Sequence, residues 1–412
     1  MGLYKLRPPM SGRMGTLRTL ASIRGAALVE YGCMGHMLYG RVFLEQVGVV
    51  DACRLYSTHI DETDISLGDT GRLHRTIAEI IERDHPEIVF LLPSSVPTVI
   101  GTDLPAICRE LQLDFPEVPL LPFGAGGFDV FGYQGVREAL LLLVRTLPRQ
   151  AEKTVQPTYN IIGSCADLFR FQADAEELVR IMEGAFGMRP LCILTSDTHV
   201  HDIEQMGGAH INLVIRREGE AAAQHLREQF GTPYLPARPY GIKGTLRWIE
   251  QIAELCGRQP NREFVQAETE RAQGLLIPSR RVFQHIVRSH PEEATVSLGG
   301  HADVVEGILA YAREEFSLSP GVCWCDSPDM ASTDIPYYTE DEWTRVVVAH
   351  KQGVLMASGE ALKWSGRSLE LQIGTPDVRW RLSPYDPPFV GFRGANHLAG
   401  LWLNTLLEQD ED

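Results

Sequence analysis

Long apolar runs are missing from this sequence. The longest purely apolar stretch covers only residues 139–144, whereas a helix needs roughly 18 to 20 apolar residues to cross a bilayer. Residues 1–10 contain Pro8 and Pro9 and lack the apolar centre of a secretory signal. These absences predict a cytoplasmic protein that makes no use of a membrane.

Lysine is also scarce. Only five of the 38 basic residues are lysines, and 54 acidic residues bring the formal net charge to −16 at pH 7. Basic surfaces bind nucleic-acid backbones, so this balance argues against a general nucleic-acid binder. The hydrophobic share of 44% and the charged share of 22% are those of a globular protein. A length of 412 residues accommodates two or three domains of ordinary size.

Several catalytic and cofactor motifs do not occur. The sequence contains no GxxxxGK(S/T) phosphate loop, no HExxH, no GxSxG and no CxxC. Its eight cysteines are scattered along a long chain, a pattern that favours small buried thiols over a disulfide framework. The closest pair is Cys323 and Cys325, and two thiols alone do not complete a metal site.

Cys33 differs from the other cysteines in its surroundings. It follows a short apolar strand and lies in a turn with Gly32 and Gly35, and glycines let a backbone approach its neighbours closely. A thiolate on such a loop could reach across an interface to iron. From these residues alone, a metal ligand and an ordinary thiol are equally good interpretations.

Apolar strands alternate with amphipathic helices along the chain. The run 88–92 reads as a buried parallel strand, and the same alternation resumes after the polar segment 149–157 and again near Gly274. This pattern predicts an α/β fold of three doubly wound, Rossmann-like parallel-sheet domains. We expect them at residues 1–152, 153–273 and 274–412. Ligands in such folds bind beyond the carboxyl ends of the strands.

Four stretches of the sequence resemble a known family in their order and spacing. They are residues 24–33 (RGAALVEYGC), 56–69 (YSTHIDETDISLGD), 94–103 (SSVPTVIGTD) and 384–395 (PYDPPFVGFRGA). Over nearly its whole length the chain resembles component 1 of the nitrogenase-like two-component reductases. That family includes the nitrogenase subunits, the dark-operative protochlorophyllide and chlorophyllide reductases and methylthio-alkane reductase. The resemblance implies the same fold, nitrogenase component 1-like, and an oxidoreductase subunit.

The cysteine positions of the family are only partly kept. A nitrogenase-type subunit gives three cysteines to a cluster at the subunit interface, and those positions here hold Ser11, Cys33 and Val96. The cofactor-ligating cysteine of the nitrogenase α-type subunit would fall near Arg216 and is missing. The resemblance therefore implies that this chain holds no iron–molybdenum-type cofactor. A four-ligand cluster would need three cysteines from a partner, an asymmetry that resembles the tetrapyrrole reductases.

The resemblance thus implies the β-type subunit of an α2β2 heterotetramer with an α-type component 1 partner. The expected cofactor is an iron–sulfur cluster at the subunit interface, 4Fe-4S or larger and P-cluster-like, with Cys33 as its metal ligand. His36 is either a group close to that cluster or an ordinary histidine. Five further residues are expected around the cluster, either shaping the Cys33 loop or lying close by: Gly32, Gly35, Ser94, Ser95 and Val96.

The same resemblance implies the remaining partners. A separate ATP-dependent iron–sulfur reductase, similar to the nitrogenase Fe protein, would deliver electrons one at a time. A small-molecule substrate, either a methylthio-alkane reduced at its C–S bond or a tetrapyrrole, would be held mainly by the α-type subunit. An alternative stays open, since so many ligands are lost: a catalytically degenerate scaffold or cofactor-assembly subunit without its own cluster.

Overall fold

Three four-stranded parallel sheets follow one another along the chain. The computed structural model describes residues 4–49, 53–124, 130–290, 294–379 and 381–407. In each sheet the strand order is second, first, third, fourth. The chain therefore reverses its winding direction between the first and third strands of every sheet, and this switch point is where doubly wound folds bind ligands. The predicted α/β fold of three doubly wound parallel sheets is confirmed.

The first sheet occupies the N-terminal third of the chain. Its strands are β1 (Ala26–Tyr31), β2 (Arg54–Ser57), β3 (Ile88–Pro93) and β4 (Leu120–Pro122). Its helices are α1 (Gly12–Leu20), α2 (Met34–Gln46), α3 (Glu62–Leu67), α4 (Gly71–Asp84), α5 (Ser95–Val99), α6 (Leu104–Asp114) and α7 (Gly132–Thr146). Every residue of β1 and β3 is buried, as expected of central strands covered on both faces.

The second sheet is built from the middle of the chain. Its strands are β5 (Thr158–Ile162), β6 (Arg189–Leu194), β7 (Ile211–Val214) and β8 (Tyr234–Pro236). Its helices are α8 (Phe171–Phe186), α9 (Val200–Glu204), α10 (Glu220–Phe230), α11 (Gly241–Cys256) and α12 (Arg262–Ser289). Short 3₁₀ turns follow α9 and β7, at Met206–Gly208 and Arg217–Gly219.

The third sheet repeats the same topology. Its strands are β9 (Thr295–Gly300), β10 (Ser319–Cys325), β11 (Val354–Ser358) and β12 (Glu370–Gly374). Its helices are α13 (Ala302–Phe316), α14 (Glu340–Trp343), α15 (Gly359–Ser365) and α16 (Gly391–Leu407), with a 3₁₀ turn at Pro328–Met330 and a π-helical turn at Thr344–Val348. None of the helices in the described ranges combines the length and apolar character that crossing a bilayer requires.

Helix α12 spans the predicted limit between residues 273 and 274. It runs unbroken from Arg262 to Ser289 through Pro278. The C-terminal helix α16 packs against α8, α11 and α12, so the end of the chain returns to the second unit. The three domain limits stay a proposal, and the sheets, rather than the connecting helices, mark the three units.

Helix α1 passes through the middle of the first unit and is buried along its whole length. It crosses α7 at a contact between glycines: a Cβ on Gly15 would lie 2.0 Å from the Gly132 carbonyl oxygen, and one on Gly135 would lie 1.9 Å from that of Gly12. Larger residues would push the two helices apart. This close crossing fixes the position of α1 and of the side chains it carries.

Candidate functional site

The switch point of the first sheet brings the predicted cluster residues together. Strands β1 and β3 are adjacent and parallel, with Tyr31 opposite Pro93. Cys33 follows β1 and caps the N-terminus of α2, and Ser94 follows β3 and caps α5. The Ser94 amide donates to the Tyr31 carbonyl oxygen at 3.0 Å. Gly32, Cys33, Ser94, Ser95 and Val96 therefore share one edge of the sheet.

Ser94 packs so closely against Gly32 that this position requires glycine, whereas no neighbouring atom requires glycine at position 35. A Cβ on Gly32 would lie 2.0 Å from Ser94 Oγ and 2.3 Å from Ser94 Cβ. Gly35 is exposed in the first turn of α2, and no atom lies within 4 Å of the Cβ it lacks. The close approach expected at both glycines is present only at Gly32.

The Cys33 thiol lies half-buried at the N-terminus of α2. Its Sγ is 3.9 Å from the Ile60 carbonyl oxygen, and it makes no capping hydrogen bond to the helix. The Cys33 side chain thus lies at the end of the helix where the backbone N–H groups are unpaired. Burial raises the thiol pKa at the other seven positions: to about 12 in Cys53, Cys165 and Cys192, to about 11 in Cys108, and in Cys256, Cys323 and Cys325.

The residues around Cys33 fit one ligand position of an iron–sulfur cluster. In the described part of the chain, Cys33 belongs to no group of three or more metal-ligating side chains. The Ser11 hydroxyl caps α1 by accepting from the Met14 amide at 3.4 Å. Ser94 Oγ is buried beside Gly32 without a hydrogen-bond partner in the described ranges, so it is free to bind a thiolate or sulfide. The His36 side chain lies outside the described residues.

Exposed apolar side chains follow the same two strands. On α2, Leu38 is 62% exposed, Tyr39 67% and Val42 48%, and at the end of α5, Val99 is 67% and Ile100 52% exposed. Apolar groups clustered on a surface mark protein contacts more often than single scattered ones do. We call these exposed side chains, on the two helices that follow Cys33 and Ser94, the α2–α5 apolar surface.

A large cavity lies where the switch points of the second and third sheets meet. It measures about 1270 Å³ with its open mouth included. Asp167 and Arg216 follow β5 and β7, and His301 and Glu360 follow β9 and β11. Residues 4–10 cover one side, where Glu340 accepts hydrogen bonds from the amides of Lys5, Leu6 and Arg7 at 2.8–2.9 Å.

Arg216 is held in the cavity wall by two carboxylates. Its Nη1 lies 2.7 Å from Asp167 Oδ1 and its Nε lies 3.0 Å from Glu218 Oε2. Glu218 also contacts His301 Nε2 at 2.9 Å. Burial opposes ionisation of Glu218, but Arg216 and His301 outweigh it and hold the pKa of this carboxyl well below its ordinary value. Gly163, at φ +99°, leaves the space that the Arg216 side chain fills.

Apart from Arg216, the residues that line the cavity were not singled out from the sequence. Asp167, Arg216, His301 and Glu360 each follow a buried apolar run in the sequence. A position after such a run is a usable signal for a residue that faces a ligand. The sequence does not show that two of the three switch points face each other. It also gives no sign that Arg18 reaches this cavity from α1.

Comparison with known proteins identifies the family. Residues 11–407 match the model of the nitrogenase component 1 type oxidoreductases. One subunit of the light-independent protochlorophyllide reductase of Jannaschia sp. (strain CCS1) is 24% identical over 85% of this chain and 67% of its own length. The nitrogenase iron-molybdenum cofactor biosynthesis protein NifE of Rippkaea orientalis is 29% identical over 65% of this chain and 57% of its own length.

A solved structure agrees in fold. The chain described as nitrogenase Cp1 at pH 6.5 superposes with a TM-score of 0.80 at 14% identity, covering 100% of this chain and 95% of the other. At this identity the likeness concerns the fold alone. With the family match over nearly all of the sequence, it follows that the chain is an oxidoreductase subunit of the nitrogenase component 1 family.

Proposed function

We propose that the chain is the β-type subunit of a two-component reductase and gives one ligand, Cys33, to an iron–sulfur cluster shared with an α-type subunit. The observation that carries the proposal is the setting of Cys33: a half-buried thiol at a helix N-terminus, at the switch point of the first sheet. The other cysteines lie in surroundings that raise their pKa.

The ligand count favours a heteromer over a homodimer. A four-ligand cluster at an interface between two copies of this chain would have only two Cys33 thiols, whereas three cysteines from a partner complete the set. The α2–α5 apolar surface lies on the two helices that follow Cys33 and Ser94. We therefore propose an α2β2 assembly with a 4Fe-4S or larger cluster at each αβ interface.

Each residue of the site has a defined task in this proposal. Cys33, at the N-terminus of α2, binds one iron through its sulfur. Gly32 lets the Ser94 side chain lie against the loop, and the Ser94 hydroxyl is positioned to hydrogen-bond sulfur. A cluster bound here would supply a one-electron relay. The sequence has no phosphate loop, so ATP hydrolysis is assigned to a separate iron–sulfur reductase.

The substrate is proposed as a tetrapyrrole, with a methylthio-alkane as the second choice. The tetrapyrrole ranks first because several relatives are named as subunits of light-independent protochlorophyllide reductase. One of them, from Synechococcus sp. (strain JA-3-3Ab), is 23% identical over 97% of this chain and 82% of its own length. No residue of the chain is assigned to substrate reduction.

Iron content of two cysteine variants tests the ligand assignment. Cys33→Ala and Cys256→Ala remove the two thiols that are only partly buried, and Cys256 lies at the end of α11 in another unit. We expect Cys33→Ala, purified anaerobically with its partner, to lose the interface iron and its electron paramagnetic resonance signal, while Cys256→Ala keeps both. Full iron in the folded Cys33→Ala complex would refute the assignment.

A cofactor-assembly subunit is the second candidate function. The similarity to NifE, named as a cofactor biosynthesis protein, favours it, as does the presence of a single candidate cluster ligand at the switch point. This function predicts a complex that transfers metal to an acceptor protein and catalyses no reduction. Reductive turnover by the purified complex would exclude it.

A further inference from the structure

Arg18 is a buried cation with no ion-pair partner in the described ranges. Arg18 lies on α1, is only 3% exposed and is one of the residues that line the cavity. Nη1 lies 2.9 Å from Met10 Sδ and the guanidinium carbon 3.4 Å from the centre of the Phe43 ring. Within the described residues no carboxylate lies within 4.0 Å, and Nε has no hydrogen-bond partner. Burial lowers the pKa of this side chain to about 10, while the charge of the Asp167 carboxylate acts in the opposite direction.

Other buried arginines of the chain are paired with carboxylates. Arg13 contacts Glu30 at 2.7 Å, Arg216 contacts Asp167 and Glu218, and Arg238 contacts Asp174. Burying a guanidinium is costly unless a negative charge accompanies it. Arg18 therefore departs from the pattern of its own fold, and it does so at the wall of a cavity.

The cavity has room for an anion and an apolar wall to receive an organic one. Aromatic side chains form part of that wall, among them Tyr4, Phe131, Tyr133, Phe169, Trp324 and Tyr337. A flat apolar body could stack on these rings while a carboxylate reaches Arg18.

The acidic groups of the cavity are mostly engaged already. Asp167 and Glu218 are held by Arg216, Asp326 lies 3.3 Å from Arg7, and Glu340 binds three backbone amides. Glu360 is the remaining carboxyl, and although burial raises its pKa to about 6, it is mostly ionised at pH 7. Among the described residues, Arg18 is the buried cation of this cavity with no carboxylate within 4.0 Å.

We propose that the cavity binds an organic anion with a planar apolar body, and that its carboxylate pairs with Arg18. The site lies within this one chain, at the switch points of the second and third sheets. It does not involve Cys33 and goes beyond the interface cluster of the proposed function. The ligand class is an aromatic or conjugated carboxylate.

Calorimetric titration with 2-naphthoate tests the site, using the full chain in its purified complex. The uncharged control ligand is 2-naphthalenemethanol. We expect one 2-naphthoate site per chain, with an affinity on the order of tenfold higher than that of the alcohol. Arg18→Met should abolish this preference, and Arg18→Lys should keep part of it. Arg41→Met, which removes an exposed arginine of α2, should bind like the wild type.

Stability without ligand supplies a second readout. Because Arg18→Met removes a buried charge that has no carboxylate partner in the described ranges, the ligand-free variant should melt at or above the wild-type temperature, and 2-naphthoate should no longer raise it. Equal binding of acid and alcohol by the wild type, unchanged binding by Arg18→Met, or a sharply lower melting temperature of the ligand-free variant would each overturn the proposal. Loss of iron in Cys33→Ala tests the cluster of the proposed function and not the anion site, because the anion site does not involve Cys33.

Discussion

At the scale of single residues, buried charges divide into paired and unpaired ones. Arg216 stands near the position where the family resemblance expects a cofactor cysteine, and it is locked by Asp167 and Glu218. A guanidinium tied to two buried protein carboxylates is a structural group. Arg18, in the same cavity, has no such partners in the described ranges.

Arg216→Met should therefore be strongly destabilising. The change leaves two buried carboxylates without their cation, which costs about 3–5 kcal/mol of the free energy of unfolding. Urea denaturation of the variant measures this loss. Arg41→Met removes an exposed arginine paired with Glu45 and should cost less than about 0.5 kcal/mol. Similar losses for both variants would contradict the structural role assigned to Arg216.

Gly32→Ala should disrupt the Cys33 loop. The new methyl group would lie 2.0 Å from Ser94 Oγ, so one of the two segments must move, and we expect lower iron content and a lower melting temperature. The double variant Gly32→Ala/Ser94→Gly should recover much of both, because it removes the clashing side chain. Gly35→Ala meets no atom within 4 Å, so it should be neutral or stabilising by up to about 1 kcal/mol.

At the scale of elements, the N-termini of α1, α2 and α5 decide which positions are open for ligands. Ser11 caps α1 through its hydroxyl, whereas Cys33 and Ser94 cap α2 and α5 without side-chain hydrogen bonds. Ser11 thus uses its side chain within α1, whereas Cys33 and Ser94 do not use theirs for capping. Cys33 and Ser94 therefore remain available to a cluster.

Ser11→Ala should cost stability without loss of iron. The lost capping bond is worth about 1 kcal/mol of the free energy of unfolding, and chemical denaturation measures it. Iron per chain should equal that of the wild type, because Ser11 is assigned to α1 and not to a metal. A variant that keeps its stability but loses iron would show that the serine hydroxyl is a ligand.

At the scale of the whole molecule, the three sheets share one strand order, but their switch points have different surroundings. The switch point of the first sheet is partly exposed beside the α2–α5 apolar surface, while those of the second and third sheets meet at the cavity. Helix α1 belongs to the first unit, and its Arg18 lines that cavity. The two proposed sites therefore lie at different switch points of one chain.

The cavity should make stability depend on pH through Glu360. Burial raises its pKa from 4.5 to about 6 in the folded protein, so the folded state binds more protons than the unfolded state between these values. Stability therefore falls as pH rises through this window. Glu360→Gln should be more stable than the wild type by about 1–2 kcal/mol at pH 7.5, with a smaller difference at pH 5. Urea unfolding at both pH values checks this, and a difference that grows towards pH 5 would contradict it.

Much of the fold was predictable because its signals are local. The strand predicted at 88–92 follows from its short apolar run and agrees with β3, and the alternation predicted to resume after residue 157 agrees with β5. Helix α1 was missed because it is buried on all sides and shows no apolar stripe, and α12 because its surface is largely polar. Cys33 could be singled out from its glycine turn, but Arg18 could not, because its exposure to the cavity arises from contacts between distant units.

The central claim is that Cys33 is the single ligand this chain gives to a shared interface cluster. The most direct measurement is iron and sulfide per chain in the complex purified anaerobically from its native host, together with the ratio of its subunits. The proposal predicts one α-type partner per chain and about four irons per interface for a 4Fe-4S cluster, or more for a larger one. A homodimer of this chain that contains no iron would contradict it.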